Sequence, residues 1–398
     1  MEIRFKIKQI TVSAVLLIAL AINLVSCHKD DEPPVSTETE KTLFMYLPWS
    51  TDLKDAFYTN ISDMEKAIAK KGLNQERVLV FISTTSTEAT LFEIIEEKGK
   101  CVRNTLKDYT NPALTTKQGI TGILNDVKGF APAKRYAMTI GCHGMGWVPV
   151  SRGKTRYLSQ EKLHWEYEGV PKTRYFGGKT SEYQTDITTL AEGIADAGMK
   201  MEYILFDDCY MSSIEVAYDL RKVTDFLIGS PCEIMAYGMP YAVIGGYLLG
   251  DTDYKAICDE FYTFYSNYKE MPCGTIGVTN CSELEPLAQI MKEINSRYKF
   301  NEADINSIQT LDGYSPTLFF DLGDYVAKLC GSDTDLLNQF RNQLQRTVPY
   351  KKHTDTYYTM NGRRQIKINA FSGVTVSDPS MNSLAETKTE TAWYKATH

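Results

Sequence analysis

The 398-residue sequence lacks the patterns that mark a zinc centre or a nucleic-acid binder. Its nine cysteines and five histidines form no CxxC pair and no zinc-type spacing. Its 43 lysines and arginines stand against 50 aspartates and glutamates, the net charge is −7, and no dense basic stripe is present. Because the phosphate backbone requires clustered positive charge, we expect no nucleic-acid partner.

The chain is long enough to bury one large core or two modest ones, and its composition is that of a soluble globular protein. It is 43% hydrophobic and 23% charged. Apart from Cys27, its cysteines are scattered, and Cys142 and Cys258 stand in apolar runs. We therefore expect most of these cysteines to be small buried hydrophobic residues.

Residues 1–26 have the pattern of a secretory signal. Positive residues precede the apolar stretch Ile10–Leu24, which at fifteen residues is too short for a stable transmembrane helix. The stretch ends in Leu24-Val25-Ser26-Cys27, which resembles the bacterial lipoprotein box. This resemblance implies cleavage before Cys27 and acyl chains on Cys27 that anchor the protein in a membrane. The alternative is a plain signal peptide with an incidental cysteine.

Residues 27–41 are polar and contain proline, which predicts a flexible tether behind Cys27. The acidic run Asp30-Asp31-Glu32 resembles the surface-export signal of some outer-membrane lipoproteins. That resemblance implies a surface-exposed outer-membrane protein, and the alternative is that the run is only solvated linker.

Apolar runs alternate with helical patterns over residues 42–250. The predicted strands include Thr42–Pro48, Arg77–Ser83, Arg135–Gly141 and Met201–Phe206, and Thr116 is a predicted helix cap. Continuous apolar strands separated by helices imply a mostly parallel sheet covered on both faces. We predict one α/β domain, with a core over 42–250 and an elaboration over 251–398 that includes a closing strand near Ile366–Phe371. The segment 149–185 is a predicted exposed excursion.

Residues with catalytic chemistry follow two of these strands. The run Gly141-Cys142-His143-Gly144 follows one strand, and Asp207-Asp208-Cys209 follows another. Ligands bind parallel sheets at the carboxyl ends of the strands, so both runs are expected at one edge. At that edge the Cys209 thiol and the His143 imidazole have the chemistry of a nucleophile and its acid/base partner. The backbone N–H groups of Gly144 and Cys209 would form an oxyanion hole.

These motifs resemble those of the clostripain-like cysteine peptidases, relatives of caspases, gingipains and legumains. His143–Trp147 (HGMGW) is similar to the family's histidine block, and Asp207–Tyr218 is similar to its cysteine block. Ser230–Tyr241 contains the SPxE and GxPY elements, and Thr173–Gly178 fits the segment between the catalytic blocks. The resemblance covers roughly residues 42–250 in order and spacing.

The resemblance implies a caspase-like α/β/α sandwich and a His143/Cys209 dyad that cleaves after Arg or Lys. The S1 carboxylate that binds the P1 side chain corresponds to Asp207. A buried carboxylate pairs well with Arg, and leaving it unpaired disfavours neutral P1 residues. Cys209 would supply the thiolate, and His143 would protonate the leaving amine. We therefore predict a lipid-anchored endopeptidase whose partners are proteins or peptides with Arg or Lys at P1.

Two residues depart from the family pattern. Asp208 replaces an alanine. One reading is that it reinforces the pocket for a basic P1 residue, and the other is that a second carboxylate near Cys209 disfavours the thiolate. Cys142 replaces a polar residue before the histidine, where it is either inert or, once oxidised, a competitor of Cys209. Asp208 supports the alternative hypothesis of a surface lipoprotein that keeps the peptidase scaffold only to bind peptides or proteins.

Relatives are often activated by self-cleavage after a basic residue between the two motifs, and we predict cleavage after Lys154 or Arg156. Some relatives use calcium, but the sequence contains no EF-hand-type loop and allows no ligands to be assigned. Asp321 and Asp324 are predicted to be strand-end caps rather than catalytic residues.

Overall fold

The computed structural model describes residues 38–150, 177–178, 181–361 and 364–398. Its strands are β1 (Thr39–Leu47), β2 (Glu76–Ser83), β3 (Glu88–Glu97), β4 (Lys100–Thr110), β5 (Ala133–Ile140), β6 (Met201–Phe206), β7 (Thr224–Gly229), β8 (Thr275–Asn280), β9 (Phe320–Asp321), β10 (Tyr350–His353), β11 (Thr356–Thr359), β12 (Arg364–Lys367) and β13 (Thr375–Val376). Its helices are α1 (Lys54–Lys71), α2 (Lys117–Phe130), α3 (Ile187–Asp196), α4 (Ile214–Leu220), α5 (Tyr241–Leu248), α6 (Tyr254–Ser266), α7 (Leu284–Arg297), α8 (Leu322–Cys330), α9 (Thr334–Thr347) and α10 (Ala392–Thr397).

In the described residues the main sheet has nine strands in the order β10-β8-β7-β6-β5-β1-β2-β3-β4. The five central strands, from β7 to β2, run parallel to one another. Their apolar residues are buried because helices lie around the sheet, with α1 packed on α5 and α2 on α3. The predicted mostly parallel, caspase-like sheet is therefore confirmed.

The outer strands of the sheet are antiparallel. The hairpin β3–β4 extends one side from β2, and β8 and β10 extend the other side from β7. The predicted closing strand near Ile366–Phe371 is wrong, because β12 pairs with β11 in a separate two-stranded ribbon. The edge strand on the β8 side of the sheet is β10. Its sequence YKKH does not follow the pattern of a buried strand, because a strand exposed on one side needs few apolar residues.

Local sequence signals set several helix ends as predicted. The Oγ1 of Thr116 accepts the backbone N–H of Gly119 at 3.1 Å and caps α2. The carboxylate of Asp321 accepts the N–H of Asp324 at 2.9 Å and caps α8, which confirms its expected role. The pattern of Asp63–Lys71 predicts a helix between the first two strands, and the structure extends it to α1, which begins nine residues earlier at Lys54.

The cysteines behave as buried hydrophobic residues. The eight that the structure describes are all free thiols, and each is buried except Cys101, which is partly exposed. This confirms the expectation for the body of the chain. Among the described helices, none combines the length and the hydrophobicity required to cross a bilayer.

Candidate active site

The ends of β5 and β6 lie side by side. The two strands are parallel, with Ile140 opposite Phe206, and the N–H of Asp207 donates to the carbonyl of Ile140 at 2.7 Å. Just beyond, a Cβ added to Gly144 would lie 2.2 Å from the carbonyl oxygen of Cys209. The residue after His143 must therefore be glycine for the two backbones to pack this closely.

The imidazole of His143 is held by a residue that sequence reasoning missed. Its Nε2 lies 2.8 Å from Oδ1 of Asp52, and the side chain of His143 is only 1% exposed. Asp52 follows β1, which neighbours β5 in the sheet. The strand-end argument that selected His143 and Cys209 could have selected Asp52, because all three residues follow adjacent parallel strands.

The sulfur of Cys209 is buried against the segment that follows β7. It accepts the N–H of Ile234 at 3.2 Å and lies 3.7 Å from the carbonyl oxygen of the same residue. An N–H donor stabilises negative charge on sulfur. Cys209 has no exposed surface, so a peptide can reach the sulfur only after the residues that cover it move.

Tyr210 makes the turn that presents Cys209 between β6 and α4. Its φ is +62°, a left-handed conformation that is unfavourable for a bulky residue by about 1–3 kcal/mol. The ring stacks on Phe319 at a centroid distance of 4.9 Å, and the hydroxyl donates to Glu233 at 2.8 Å. Burial, reinforced by Glu233, holds the pKa of the Tyr210 hydroxyl well above its usual value, so this donor keeps its proton.

The buried carboxylate of Glu233 connects the turn at Cys209 and Tyr210 to β11. Besides the Tyr210 hydroxyl it accepts the hydroxyl of Thr359 at 2.6 Å and the N–H of Met360 at 3.1 Å. Because Ile234 follows directly, these bonds also fix the backbone that contacts the sulfur of Cys209. The SPxE element of the sequence thus links the turn at Cys209 and Tyr210 to β11.

The side chains of Asp207 and Asp208 point to different partners, and both are fully buried. Oδ1 of Asp207 accepts the N–H of Met239 at 2.6 Å, within the GxPY element. Oδ1 of Asp208 accepts the N–H of Cys142 at 2.5 Å, and its Oδ2 lies 3.6 Å from the Cys142 sulfur. Asp208 therefore ties the histidine loop to the cysteine loop.

The C-terminal part of the chain contributes to the site. The indole N–H of Trp147 donates to the hydroxyl of Ser377 at 2.9 Å, and the Tyr314 hydroxyl lies 3.2 Å from the sulfur of Met145. Both histidine-loop contacts reach residues beyond 250, outside the range that resembles the clostripain motifs. The histidine loop is therefore held by residues from the second half of the sequence.

The remaining predicted residues lie outside the described residues. These are Cys27, Lys154 and Arg156. Within the described ranges, no group of three or more His, Cys, Asp or Glu side chains is arranged to hold a metal ion. Among these residues, no ligand can be assigned to calcium.

Comparisons with known proteins agree on one family. Residues 50–347 match the model of the clostripain family, Peptidase C11. A secreted C11 cysteine protease from Bacteroides thetaiotaomicron, "iotapain", is 61% identical, with 91% of this chain and 100% of that chain covered and a TM-score of 0.84. A comparison with curated proteins found no match.

Two further structures extend the likeness. A clostripain from Bacteroides thetaiotaomicron, in complex with the peptide inhibitor BTN-VLTK-AOMK, is 64% identical over 56% of this chain and 99% of its own, with a TM-score of 0.55. An inactive zymogen C11 protease from Parabacteroides distasonis is 25% identical over 90% of this chain and 99% of its own, with a TM-score of 0.73. The chain belongs to the clostripain family and is a C11 cysteine protease.

Proposed function

We propose that the protein is an endopeptidase that cleaves after Arg or Lys, with Cys209 as nucleophile and His143 as general acid. The observation that carries this proposal is the direct packing of Gly144 on the backbone of Cys209, at the shared edge of β5 and β6. It places the histidine and cysteine loops together in a protein already identified as a cysteine protease.

The chemistry follows from these positions. The Cys209 thiolate attacks the scissile carbonyl carbon, and the N–H groups of Gly144 and Cys209 stabilise the oxyanion. The intermediate collapses to a thioester as the C–N bond breaks, and the leaving nitrogen takes a proton from His143. Water then attacks the thioester, its proton returns to His143, and the carboxylic acid product leaves the Cys209 sulfur.

Asp207 is the proposed P1-binding acid. It is fully buried and held by the N–H of Met239, so an incoming cation would meet a preorganised carboxylate. The carboxylate of Asp208 contacts Cys142 instead of the Met239 segment, so we assign P1 binding to Asp207. The inhibitor bound to the 64% identical clostripain has the sequence VLTK, which supports Lys at P1.

We further propose that the form that the structure describes, in which Cys209 is buried, is an inactive precursor. Cleavage after Lys154 or Arg156 then activates it. Cys209 and Asp207 are both inaccessible, and a relative at 25% identity is described as an inactive zymogen. Purified wild type should convert to two chains, whereas Cys209→Ala and the double variant Lys154→Ala/Arg156→Ala should stay intact. Lys162→Ala is the matched control and should convert normally. A Cys209→Ala protein that matures alone would exclude self-cleavage.

A lipid anchor at Cys27 is the proposed location signal, with residues 27–41 as tether. Cells fed an alkyne-tagged fatty acid should label the wild type but not Cys27→Ser, and the variant should leave the membrane fraction. The alternative is a plain signal peptide, since a relative is described as secreted. Wild-type protein that carries no label and is found in the medium would support that alternative.

The test of the whole proposal is a panel of fluorogenic peptides that differ only at P1, with processed wild type beside Cys209→Ser. Turnover restricted to Arg and Lys, and lost in the variant, is the expected result. A folded, processed wild type with no turnover and no labelling by a Lys-directed acyloxymethyl ketone would favour a peptide-binding module instead.

A further inference from the structure

We propose that Asp52 is a positioning residue of the catalytic unit, which holds His143 through Nε2 and so assigns proton transfer to Nδ1. This inference rests on the proposed role of His143 and goes beyond a two-residue dyad. It concerns a residue 91 positions before the histidine, in a turn that the family motifs do not include.

The contact has the geometry of a charge-assisted hydrogen bond. Nε2 and Oδ1 are 2.8 Å apart, the imidazole is 1% exposed, and the Asp52 carboxylate is 23% exposed. Water therefore screens the bond only from the carboxylate side. A carboxylate accepts and cannot donate, so in the neutral imidazole the hydrogen must sit on Nε2.

The turn that carries Asp52 is built to aim it. The Ser50 hydroxyl donates to the carbonyl of Pro48 at 2.9 Å, and the N–H of Asp52 donates to the carbonyl of Ser50 at 2.7 Å. Thr51 between them has a φ of +64°, a left-handed conformation that β-branched residues strongly disfavour. Leu53 is buried directly after Asp52 and anchors the start of α1.

An unfavourable backbone conformation persists only where surrounding contacts enforce it, and such residues cluster at functional sites. Here the conformation at Thr51 leaves Thr51 itself exposed and directs the next side chain to the end of β5. The turn thus points a carboxylate at the imidazole of His143.

The consequence for the proton cycle is specific. The thiol proton of Cys209 passes to Nδ1, which leaves a thiolate and an imidazolium, and Nδ1 later gives that proton to the leaving amine. Asp52 keeps its charge throughout and stabilises the imidazolium. Removal of the Asp52 carboxylate lowers the pKa of the imidazolium. His143 then loses the proton that it must donate at a lower pH than it does in wild type.

The test compares Asp52→Asn and Asp52→Ala with wild type in processed enzyme, with active sites counted by a Lys-directed acyloxymethyl ketone. We expect kcat per active site to fall about 100-fold, with KM nearly unchanged, because general acid–base catalysis is impaired. The alkaline limb of the pH–kcat profile should move to lower pH. Asp55→Asn is the matched control, an exposed carboxylate in the first turn of α1, and should behave as wild type.

Two outcomes would overturn the inference. One is an Asp52→Asn enzyme with wild-type kcat per site. The other is a variant with a lower melting temperature and fewer active sites but an unchanged pH profile, which would reduce Asp52 to a structural role. Failure of the proposed function is recognised separately, since in that case Cys209→Ser or His143→Ala would retain turnover.

Discussion

Asp208 and Cys142, the two residues that depart from the clostripain pattern, are bonded to each other. The carboxylate accepts the Cys142 N–H at 2.5 Å and lies 3.6 Å from its sulfur. Because this pair joins the loops that carry His143 and Cys209, the two departures act together as a brace. The carboxylate beside the nucleophile is thus turned toward the histidine loop.

Removal of this brace should destabilise the protein. In Asp208→Ala the buried N–H of Cys142 loses its acceptor, and we expect a loss of about 1–3 kcal/mol in the free energy of unfolding. Asp208→Asn keeps an acceptor and should lose less. Denaturant unfolding measures both variants. The control is Asp251→Ala, which removes a fully exposed carboxylate and is expected within about 0.5 kcal/mol of wild type. An equal change in the free energy of unfolding for Asp208→Ala and Asp251→Ala would show that the bond between Asp208 and Cys142 does not stabilise the protein.

The packing of Gly144 on Cys209 should not tolerate a methyl group. Its Cβ would lie 2.2 Å from one backbone atom of Cys209 and 3.0 Å from another, so Gly144→Ala must displace a catalytic loop. We expect a folded protein whose kcat falls at least tenfold, because small misplacements are costly in catalysis. Gly122→Ala in α2 is the control, since nothing lies within 4 Å of the added atom. A fully active Gly144→Ala enzyme would exclude this arrangement.

P1 specificity should depend on Asp207 and not on Asp208. Asp207→Asn keeps an acceptor for the Met239 N–H but removes the charge, so kcat/KM for Arg and Lys substrates should fall at least 100-fold. Asp208→Asn removes the neighbouring charge and should retain the Arg/Lys preference. The panel of peptides that differ only at P1 measures this preference in both variants. Loss of the Arg/Lys preference in Asp208→Asn but not in Asp207→Asn would assign the P1 pocket to Asp208.

The bond between Tyr210 and Glu233 should be needed to hold the turn at Cys209 and Tyr210. Tyr210→Phe keeps the ring on Phe319 but removes a donor from a buried carboxylate, and we expect it to lose about 1–3 kcal/mol of stability. Thermal unfolding measures this, with the exposed Tyr58→Phe as control. An unchanged melting temperature for Tyr210→Phe would mean that this bond does not contribute.

Stability should fall as pH rises because of Glu215, a fully buried carboxyl group in α4. Burial, followed by repulsion from Asp378, raises its pKa from the ordinary 4.5 to about 8. The folded protein then holds a proton that the unfolded chain has released, so the free energy of unfolding decreases between about pH 4.5 and pH 8. Glu215→Gln should flatten this part of the stability–pH curve. An identical slope in wild type and variant would show that Glu215 ionises normally.

Local patterns in the sequence were enough for the parallel strands, the Thr116 and Asp321 caps and the two catalytic motifs. Apolar runs of strand length and capping side chains act over a few residues, and parallel strand ends meet at one edge whatever the details of packing. Family motifs around His143 and Cys209 then identified the protease.

Tertiary structure alone decided which distant groups meet at that edge. The bond from Asp52 to His143 spans 91 residues and that from Asp208 to Cys142 spans 66, and neither pairing has a local signature. The pairing of β10 with β8 and the contact between Ile234 and the Cys209 sulfur also have no local signature. Such contacts depend on how elements pack in three dimensions, since a polar side chain in a sequence carries no record of the partner that satisfies it.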